Sequence, residues 1–359
     1  MKEINIGLVG ASGIVGLQFL KILEQRKHNV KNLYLFASKT SAGKKLSFKG
    51  KEYIIEELDE NSFDREMDFV FFCASNDISA KYAPIAKEKG VIVIDNSSHF
   101  RLNKDVPLVV PEINSHLLKE HKGIVANPNC STIQAVLVLA PINKIYGIKR
   151  VVISTYQAVS GAGKEGIQDL VNGYEKTSWQ TGRIRDAFVD TEHEMNPINI
   201  LTPRHHYELN TFGEYIAGNI IPYIGEILED GYSEEELKII NETKKILELP
   251  DLKITATAVR VPVINGHSES INIELERSYQ LNSLKRLLLS TNGIELVDTP
   301  TPLKSSGKDA IFVGRIRKDF STNGVNLFSS SDNLRKGAAL NGVQIMEALI
   351  NMQTVENNQ

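Results

Sequence analysis

"INIGLVGASGIVG", residues 4–16, is the stretch that decides the fold. A continuous apolar run stops at Gly10, as a strand buried on both faces of a parallel sheet does. Gly10, Gly13 and Gly16 then set the spacing G-x-x-G-x-x-G. The following "IVGLQFLKILEQ" (14–25) carries Ile14, Leu17, Leu20 and the neighbouring Phe19 and Leu23 at helical spacing. Strand, glycine turn and helix start bring free backbone N–H groups and a positive dipole end to one point, which suits a pyrophosphate. A glycine turn alone is also an ordinary strand–helix connection. Its place at the head of a strand–helix series favours a dinucleotide site.

Outward from there the alternation continues. "LYLFA", "DFVFFCAS" and "VIVIDNSS" are short apolar strands, helical "DISAKYAPIAKEKG" separates the last two, and "GIVANPNC" closes the series. Such alternation predicts βαβ units and a parallel sheet. After residue 150 the strands lengthen and partly alternate, as in "RVVISTYQAV", "KITATAVRVPVI" and "SESINIELERS". They predict a mixed or antiparallel sheet with one face covered by helices such as 164–175 and 233–247, and a tight turn at Asn265-Gly266. From 332, "DNLRKGAALNGVQIMEALINM" opens with Asp332 as N-cap and puts Leu334, Ala338, Ile345, Leu349 and Met352 on one face. An isolated amphipathic helix buries nothing, so this one is expected to return to the first domain.

The expected fold is therefore α/β: a Rossmann-type nucleotide-binding domain (1–130 plus 332–359) and an α+β catalytic and dimerisation domain (131–331). Segments 177–203 and 299–309 read as loops and "TVENNQ" as a frayed tail.

Composition sets the outer bounds. A chain of 359 residues, 42% hydrophobic and 24% charged, is of two-domain globular size. A net charge of -3 leaves no basic footprint for nucleic acid and no polybasic membrane patch. Two cysteines make no disulfide framework. "MKEINIGLVG" leaves no room for a secretory leader, and no apolar run approaches the roughly 20 residues of a membrane span. The expectation is a cytoplasmic protein without a metal.

The chemistry gathers around "ANPNCSTIQ" (126–134). Asn129 is a good N-cap, and "STIQAVLVLAPI" is apolar nearly all round, so Cys130 opens a buried helix at the carboxyl edge of the sheet. A thiol in the first turn sits in a field that favours thiolate. A small buried cysteine that only packs is the alternative, and Cys73 inside "FVFFCAS" fits that one well. Most of the eight histidines lie in polar loops, whereas His267 follows the Asn265-Gly266 turn at the start of a strand. Arg260 interrupts the apolar "ITATAVRVPVI", so it needs an anion beside it, either a ligand or a core carboxylate. Gln157 interrupts another apolar strand just before a glycine turn, and Arg101 follows a Rossmann-type strand among hydroxyls. After the second strand there is no acid to hold a ribose 2′-hydroxyl. Ser38, Lys39, Thr40 and Ser41 suit a 2′-phosphate, as they also suit a solvated loop.

These residues together suggest thiol-based aldehyde oxidation. Over nearly its full length the chain resembles the bacterial aspartate-semialdehyde dehydrogenases. The carrying segments are "GLVGASGIVG", "SAGK", "DNSSHFR", "VVPEIN", "NPNCSTIQ", "YQAVSGAG", "NETKKIL", "VRVPVINGHSESINIE" and "DNLRKGAALN". The resemblance implies NADP-dependent, reversible reductive dephosphorylation of 4-phospho-L-aspartate to L-aspartate 4-semialdehyde, in the route to lysine, threonine, methionine and isoleucine. It implies Cys130 as the nucleophile that forms a thioester and His267 as its acid/base. Asn129 and Gln157 would position substrate, Arg260 would grip its α-carboxylate, and Glu235 would meet its amino group. Arg101 and Lys238 would hold phosphate. Gly10, Ser12, Gly13, Ile14, Val15, Gly16, Ser38, Thr40, Ser41, Ser160, Gly161 and Asn341 would contact NADP. The implied partners are small molecules and further copies of the chain, as a homodimer or dimer of dimers. One departure stands out: many relatives have Ser-Ala-Arg-Ser-Ala-Gly where this chain has Ser-Lys-Thr-Ser-Ala-Gly, so Thr40 replaces the arginine and Lys39 lies next door.

Two enzyme families compete. N-acetylglutamyl-phosphate reductases share the chemistry but typically differ around the cysteine. Glyceraldehyde-phosphate dehydrogenases usually have Ser-Cys-Thr-Thr and an NAD-selecting acid. A silent NADP sensor would have no need of Cys130, His267 and Arg260 together.

Overall fold

The computed structural model describes residues 3–175 and 211–356. The expected loop 177–203 lies outside the described residues.

The first sheet has seven strands in the order β3-β4-β2-β1-β5-β6-β7. These are β1 (Ile4–Val9), β2 (Val30–Ala37), β3 (Lys45–Phe48), β4 (Lys51–Glu57), β5 (Phe69–Phe72), β6 (Ile92–Asp95) and β7 (Ile124–Ala126). All neighbours are parallel except β3 and β4. Helix α1 (Ile14–Gln25) follows the glycine turn, α2 (Asn76–Glu88) links β5 to β6, and α3 (Pro111–Asn114) is a single turn. Gly10 takes φ +82, and a side chain there would begin 2.2 Å from the Cys73 carbonyl oxygen, so only glycine fits.

The second sheet has six strands in the order β11-β12-β13-β10-β8-β9 and is mixed. They are β8 (Ile148–Gln157), β9 (Lys253–Arg260), β10 (His267–Leu275), β11 (Ile294–Leu296), β12 (Ile311–Lys318) and β13 (Gly324–Ser331). Its helices are α4 (Cys130–Tyr146), α5 (163–175), α6 (Glu234–Ile246), α7 (Leu281–Leu289) and the short α8 (Pro302–Ser305). One apolar core joins α4 to the first sheet through Phe72, Val93 and Ala126, and to the second through Ile153 and Ile271.

The Asn265-Gly266 turn differs from expectation. Gly266 does take φ +94, but β9 and β10 do not pair, because β8 lies between them. β9 runs parallel to β8, so the chain must cross over β8 to start β10, which no two-residue hairpin can do.

The C-terminal helix α9 (Leu340–Glu356) returns to the first domain, as expected. Val343, Ile345, Met346 and Leu349 share a core with Leu8, Phe19, Ile22 and Ile94. Asp332 does start this segment: its Oδ1 accepts from the Leu334 and Arg335 amides. A π-helical turn, Arg335–Ala339, precedes α9.

Polar contacts pin α9 to α1. Arg26 Nε donates to Glu347 Oε1 at 2.6 Å, and His28 Nε2 lies 2.9 Å from the same oxygen. Burial pushes the Glu347 carboxyl up, but hydrogen bonds from His28 and Arg26 win and bring it down to about 2. A depressed carboxylate contributes stability above its unfolded pKa of about 4.3, and that stability fades as pH falls through the folded value. Glu347→Gln should therefore cost roughly 1–3 kcal/mol at pH 7 in chemical denaturation. It should also flatten the loss of stability between about pH 5 and 2. Equal acid sensitivity in both proteins would contradict this.

Candidate active site

The register of the second sheet builds the site. On the face covered by α4, residues fall in rows across the strands. At the carboxyl end of β8, Gln157 pairs with Arg260 of β9, and His267 of β10 pairs with Ser331 of β13. The next row is Ala258, Thr155, Glu269 and Ser329; the row after is Ala256, Ile153, Ile271 and Leu327. Apart from Ala258, polar side chains thus occupy the first two rows, and the third is wholly apolar. Sequence alternation puts every second residue on this face.

Above the rows, α4 starts at Cys130. Asn129 caps it, its Oδ1 accepting from the Ser131 and Thr132 amides at 2.9 and 3.2 Å. The same side chain donates through Nδ2 to Glu235 Oε1 at 2.8 Å, and Gln157 Nε2 donates to that oxygen at 3.1 Å. Ser233 caps α6 in a capping box with Glu236, which places Glu235 and Lys238 in its opening turns.

One cleft of about 360 Å³ collects Val15, Arg101, Asn129, Cys130, Gln157, Ser160, Gly161, Glu235, Lys238 and Arg260. His267 lies just beneath: a side chain on Gly161 would begin 3.3 Å from its Nε2. Ser38 and Thr40 hydrogen-bond each other at 2.9 Å on the surface after β2, outside the cleft lining. Asn341 is not brought to the cleft. It is buried, with its amide donating to the Val109 carbonyl and to Asn127 Oδ1.

Several lining or supporting residues escape a sequence reading. Asn96, Ser98, Asn333 and Gly337 line the cleft. Glu242 is buried and uses both oxygens, accepting from Arg101 Nη1 at 3.0 Å and from the Asn129 amide at 2.6 Å. "NETKKIL" quotes it, yet nothing in a charged helical segment separates it from Glu235 or Glu236. Lys164, at the start of α5, donates to the Ser12 carbonyl of the glycine turn at 2.6 Å, tying the two domains across the cleft.

The electrostatics correct one expectation. Burial pushes the Cys130 thiol up to about 12, with Glu235 adding to it, and outweighs the lowering by Arg101, Arg260 and the Ser131 amide. Cys73 is also pushed up to about 12 by burial. The helix-start field therefore does not by itself yield a thiolate, because desolvation is the larger effect. Placement separates the two thiols: Cys130 lines the large cleft and Cys73 does not.

Arg260 Nη1 donates to the Ala158 carbonyl at 2.7 Å, while its buried Nε has no partner among the described residues. No core carboxylate is paired with it among the described residues, and the guanidinium lines the cleft. Burial lowers its pKa, against the pull of Glu235. Burial and the neighbouring Arg260 hold His267 well below the usual histidine range, hence neutral. Its Nδ1 accepts from the Ala158 amide at 3.0 Å, so the ring hydrogen sits on Nε2, which has no partner among the described residues.

The glycines fit a dinucleotide. Gly10 lets the turn close on Cys73, and a side chain at Gly337 would begin 2.9 Å from the Cys130 Cβ, so the chain before α9 packs directly on the start of α4.

A largely parallel first sheet and a mixed second sheet thus meet at one polar cleft, and the family matches give this arrangement its class, semialdehyde dehydrogenase. Residues 5–121 match the family described as "Semialdehyde dehydrogenase, NAD binding domain", and 139–336 match "Semialdehyde dehydrogenase, dimerisation domain". The chain is 45% identical to the aspartate-semialdehyde dehydrogenase of Bacillus subtilis, covering 99% of each. Its fold superposes with a TM-score of 0.86 on the Vibrio cholerae aspartate semialdehyde dehydrogenase II complexed with ASA, at 40% identity over 98% of this chain and 99% of that one. The Candida albicans enzyme, crystallised with NADP, gives a TM-score of 0.71 at 26% identity over 97% and 98% of the two chains. The chain belongs to the aspartate-semialdehyde dehydrogenase family. It is an oxidoreductase that uses a nicotinamide cofactor and forms oligomers. Among the described residues no helix is long and apolar enough to cross a membrane.

Proposed function

We propose that the chain interconverts L-aspartate 4-semialdehyde and 4-phospho-L-aspartate with NADP and phosphate, through a thioester on Cys130. The carrying observation is that one cleft is lined by a thiol, a carboxylate and three cations, the set of groups that this substrate pair calls for. Arg260 takes the α-carboxylate and Glu235 the α-ammonium. Arg101, fixed by Glu242 and by the Asn96 and Asn127 carbonyls, takes phosphate with Lys238.

In the oxidative direction the Cys130 thiol first gives its proton to water, and the thiolate Sγ, which each later turnover regenerates when the C–S bond breaks, bonds to the aldehyde carbon. The charge that moves to oxygen meets the His267 Nε2–H. NADP held by the glycine turn at Gly10, Gly13 and Gly16 would supply the hydride acceptor, and the acyl group would stay on Cys130 as a thioester. A phosphate oxygen then attacks the acyl carbon, the C–S bond breaks and Cys130 recovers the electron pair. The proton released overall is the one phosphate loses. Asn129 holds Glu235 and the start of α4 in register throughout.

We also assign NADP contacts to Gly10, Ser12, Gly13, Ile14, Val15, Gly16, Ser38, Thr40, Ser41, Ser160 and Gly161, and to Asn341 a supporting place behind them. The division into 1–130 with 332–359 and 131–331 follows the two sheets. The outer face of the second sheet, where Tyr156 and Phe328 stack 6.0 Å apart, serves as the surface for a homodimer or dimer of dimers. A cytoplasmic place in the synthesis of lysine, threonine, methionine and isoleucine goes with this reading.

The assay is nicotinamide absorbance with purified protein, L-aspartate 4-semialdehyde, phosphate and NADP. Phosphate-dependent NADPH formation is expected, and its absence would refute the reading. For the cofactor, Lys39→Ala should weaken NADP about tenfold and leave NAD nearly unchanged, since only NADP has the extra phosphate. Equal weakening of both in a binding titration would place Lys39 in solvent.

A further inference from the structure

Glu269 is a buried ionisable group that the chemistry above does not use. Its side chain is fully buried, and neither carboxylate oxygen has a hydrogen-bond partner among the described residues. It stands on β10 two residues after His267, so both point to the face covered by α4. Thr155 and Ser329 flank it in the second row. From above, Gln134 comes down one helical turn after Cys130, on the same side of α4. Gln134 Nε2 donates to Ser329 Oγ at 2.9 Å, and its Oε1 accepts from Ser331 Oγ, the residue paired with His267.

A polar layer therefore underlies the cleft, with the nucleophile one helical turn above it and the histidine one strand position away. We propose that Glu269 is a positioning residue: with Gln134, Ser329 and Ser331 it fills the layer that fixes where Cys130 and His267 stand relative to each other. This rests on the reading of Cys130 and His267 given above. Burial pushes the Glu269 carboxyl well above the usual range. A neutral acid has one hydrogen to give and oxygens to accept with, so it suits a layer of hydroxyls and amides. A charged one here would be an uncompensated buried ion.

An apolar side chain of similar size would fill the space and often improve stability, as replacements of buried polar groups do. What it would lose is the fixed registry between α4 and β10. That separates positioning from mere packing, because activity and stability then move in different directions.

The test compares Glu269→Gln and Glu269→Leu in the full-length enzyme. Four quantities are read: kcat, KM for the aldehyde, NADP affinity by fluorescence titration, and the pH profile of Cys130 alkylation by iodoacetamide. Glu269→Gln keeps a neutral polar group of the same shape in the layer and should stay within about threefold of wild type in kcat. Glu269→Leu should melt no lower than wild type yet lose about 10- to 100-fold in kcat, since displacements near 1 Å cost up to about 100-fold. Its KM and NADP affinity should be unchanged and its alkylation profile displaced. Wild-type kcat in Glu269→Leu would overturn the proposal, as would a Glu269→Gln variant as damaged as the leucine one. Should Glu269→Leu fail to fold, Gln134→Leu reaches the same layer from α4 and must show the same loss in kcat; full activity there overturns the idea. A parallel Cys130→Ser control separates the two levels. An inactive control beside a fully active Glu269→Leu removes only the positioning role, whereas an active control removes the thiol reading beneath it.

Discussion

Cys130→Ser should retain the fold and lose at least about 10³-fold in turnover. The fold survives because Asn129 Oδ1, not the sulfur, satisfies the first free amides of α4. One oxygen in place of one sulfur also adds nothing for Gly337 to clash with. Turnover falls because a serine hydroxyl at this depth is hardly ionised at any accessible pH, and oxygen is the poorer leaving group when phosphate arrives. Burial pushes the thiol itself up to about 12, and a hydroxyl in its place, a far weaker acid from the outset, would ionise still less. Cys73→Ser should leave kcat within about twofold, because that thiol does not reach the main cleft. Thermal unfolding and steady-state rates of both variants check this. Normal turnover in Cys130→Ser, or inactivation through Cys73 on alkylation, would contradict it.

L-Aspartate 4-semialdehyde should be oxidised about 10³- to 10⁵-fold better, in kcat/KM, than N-acetyl-L-glutamate 5-semialdehyde. Glu235 is nearly buried, and its Oε1 already accepts from Asn129 and Gln157, which aims the carboxylate into the cleft. A free α-ammonium completes that charge. An acylated amine replaces it with a bulky neutral amide and leaves the carboxylate facing a partner that cannot neutralise it. Glu235→Gln should narrow the gap by lowering kcat/KM for the free-amine substrate far more than for the acetylated one. A wild-type preference for the acetylated aldehyde would transfer the chain to the competing chemistry.

How much of this was legible in the sequence differs by element. The glycine turn was, because Gly10 sits where backbone approaches backbone and no other residue fits. So was the start of α4, where an Asn cap before an apolar run leaves little choice. The C-terminal helix was expected on the first domain from its apolar face alone, and Glu347 adds a polar anchor that no pattern announced. Asn265-Gly266 misled, because a turn dipeptide reports local geometry and not which strands lie side by side. The thiol expectation failed for a related reason: position on a helix is visible in sequence, but desolvation depends on what the rest of the chain packs around it.

The polar layer was the least legible part. Alternation in "HSESINIE" does put His267 and Glu269 on the face of Ile271, but nothing in the pattern says that this face stays buried where it carries two ionisable side chains. Glu242 was hidden in the same way among the charges of α6, although in space it joins Arg101 to the start of α4. Residues that act through other residues have no motif of their own; register and contact reveal them.

The central claim, a covalent acyl-enzyme on Cys130, is tested most directly by trapping it. Enzyme is mixed with L-aspartate 4-semialdehyde and NADP without phosphate, quenched in acid, and its peptides are weighed by mass spectrometry. The account predicts NADPH in amounts matching the sites, and an aspartyl adduct on the peptide containing Cys130 that disappears when phosphate is added before the quench. NADPH formation with that peptide unmodified, or with the adduct on Cys73, would contradict it.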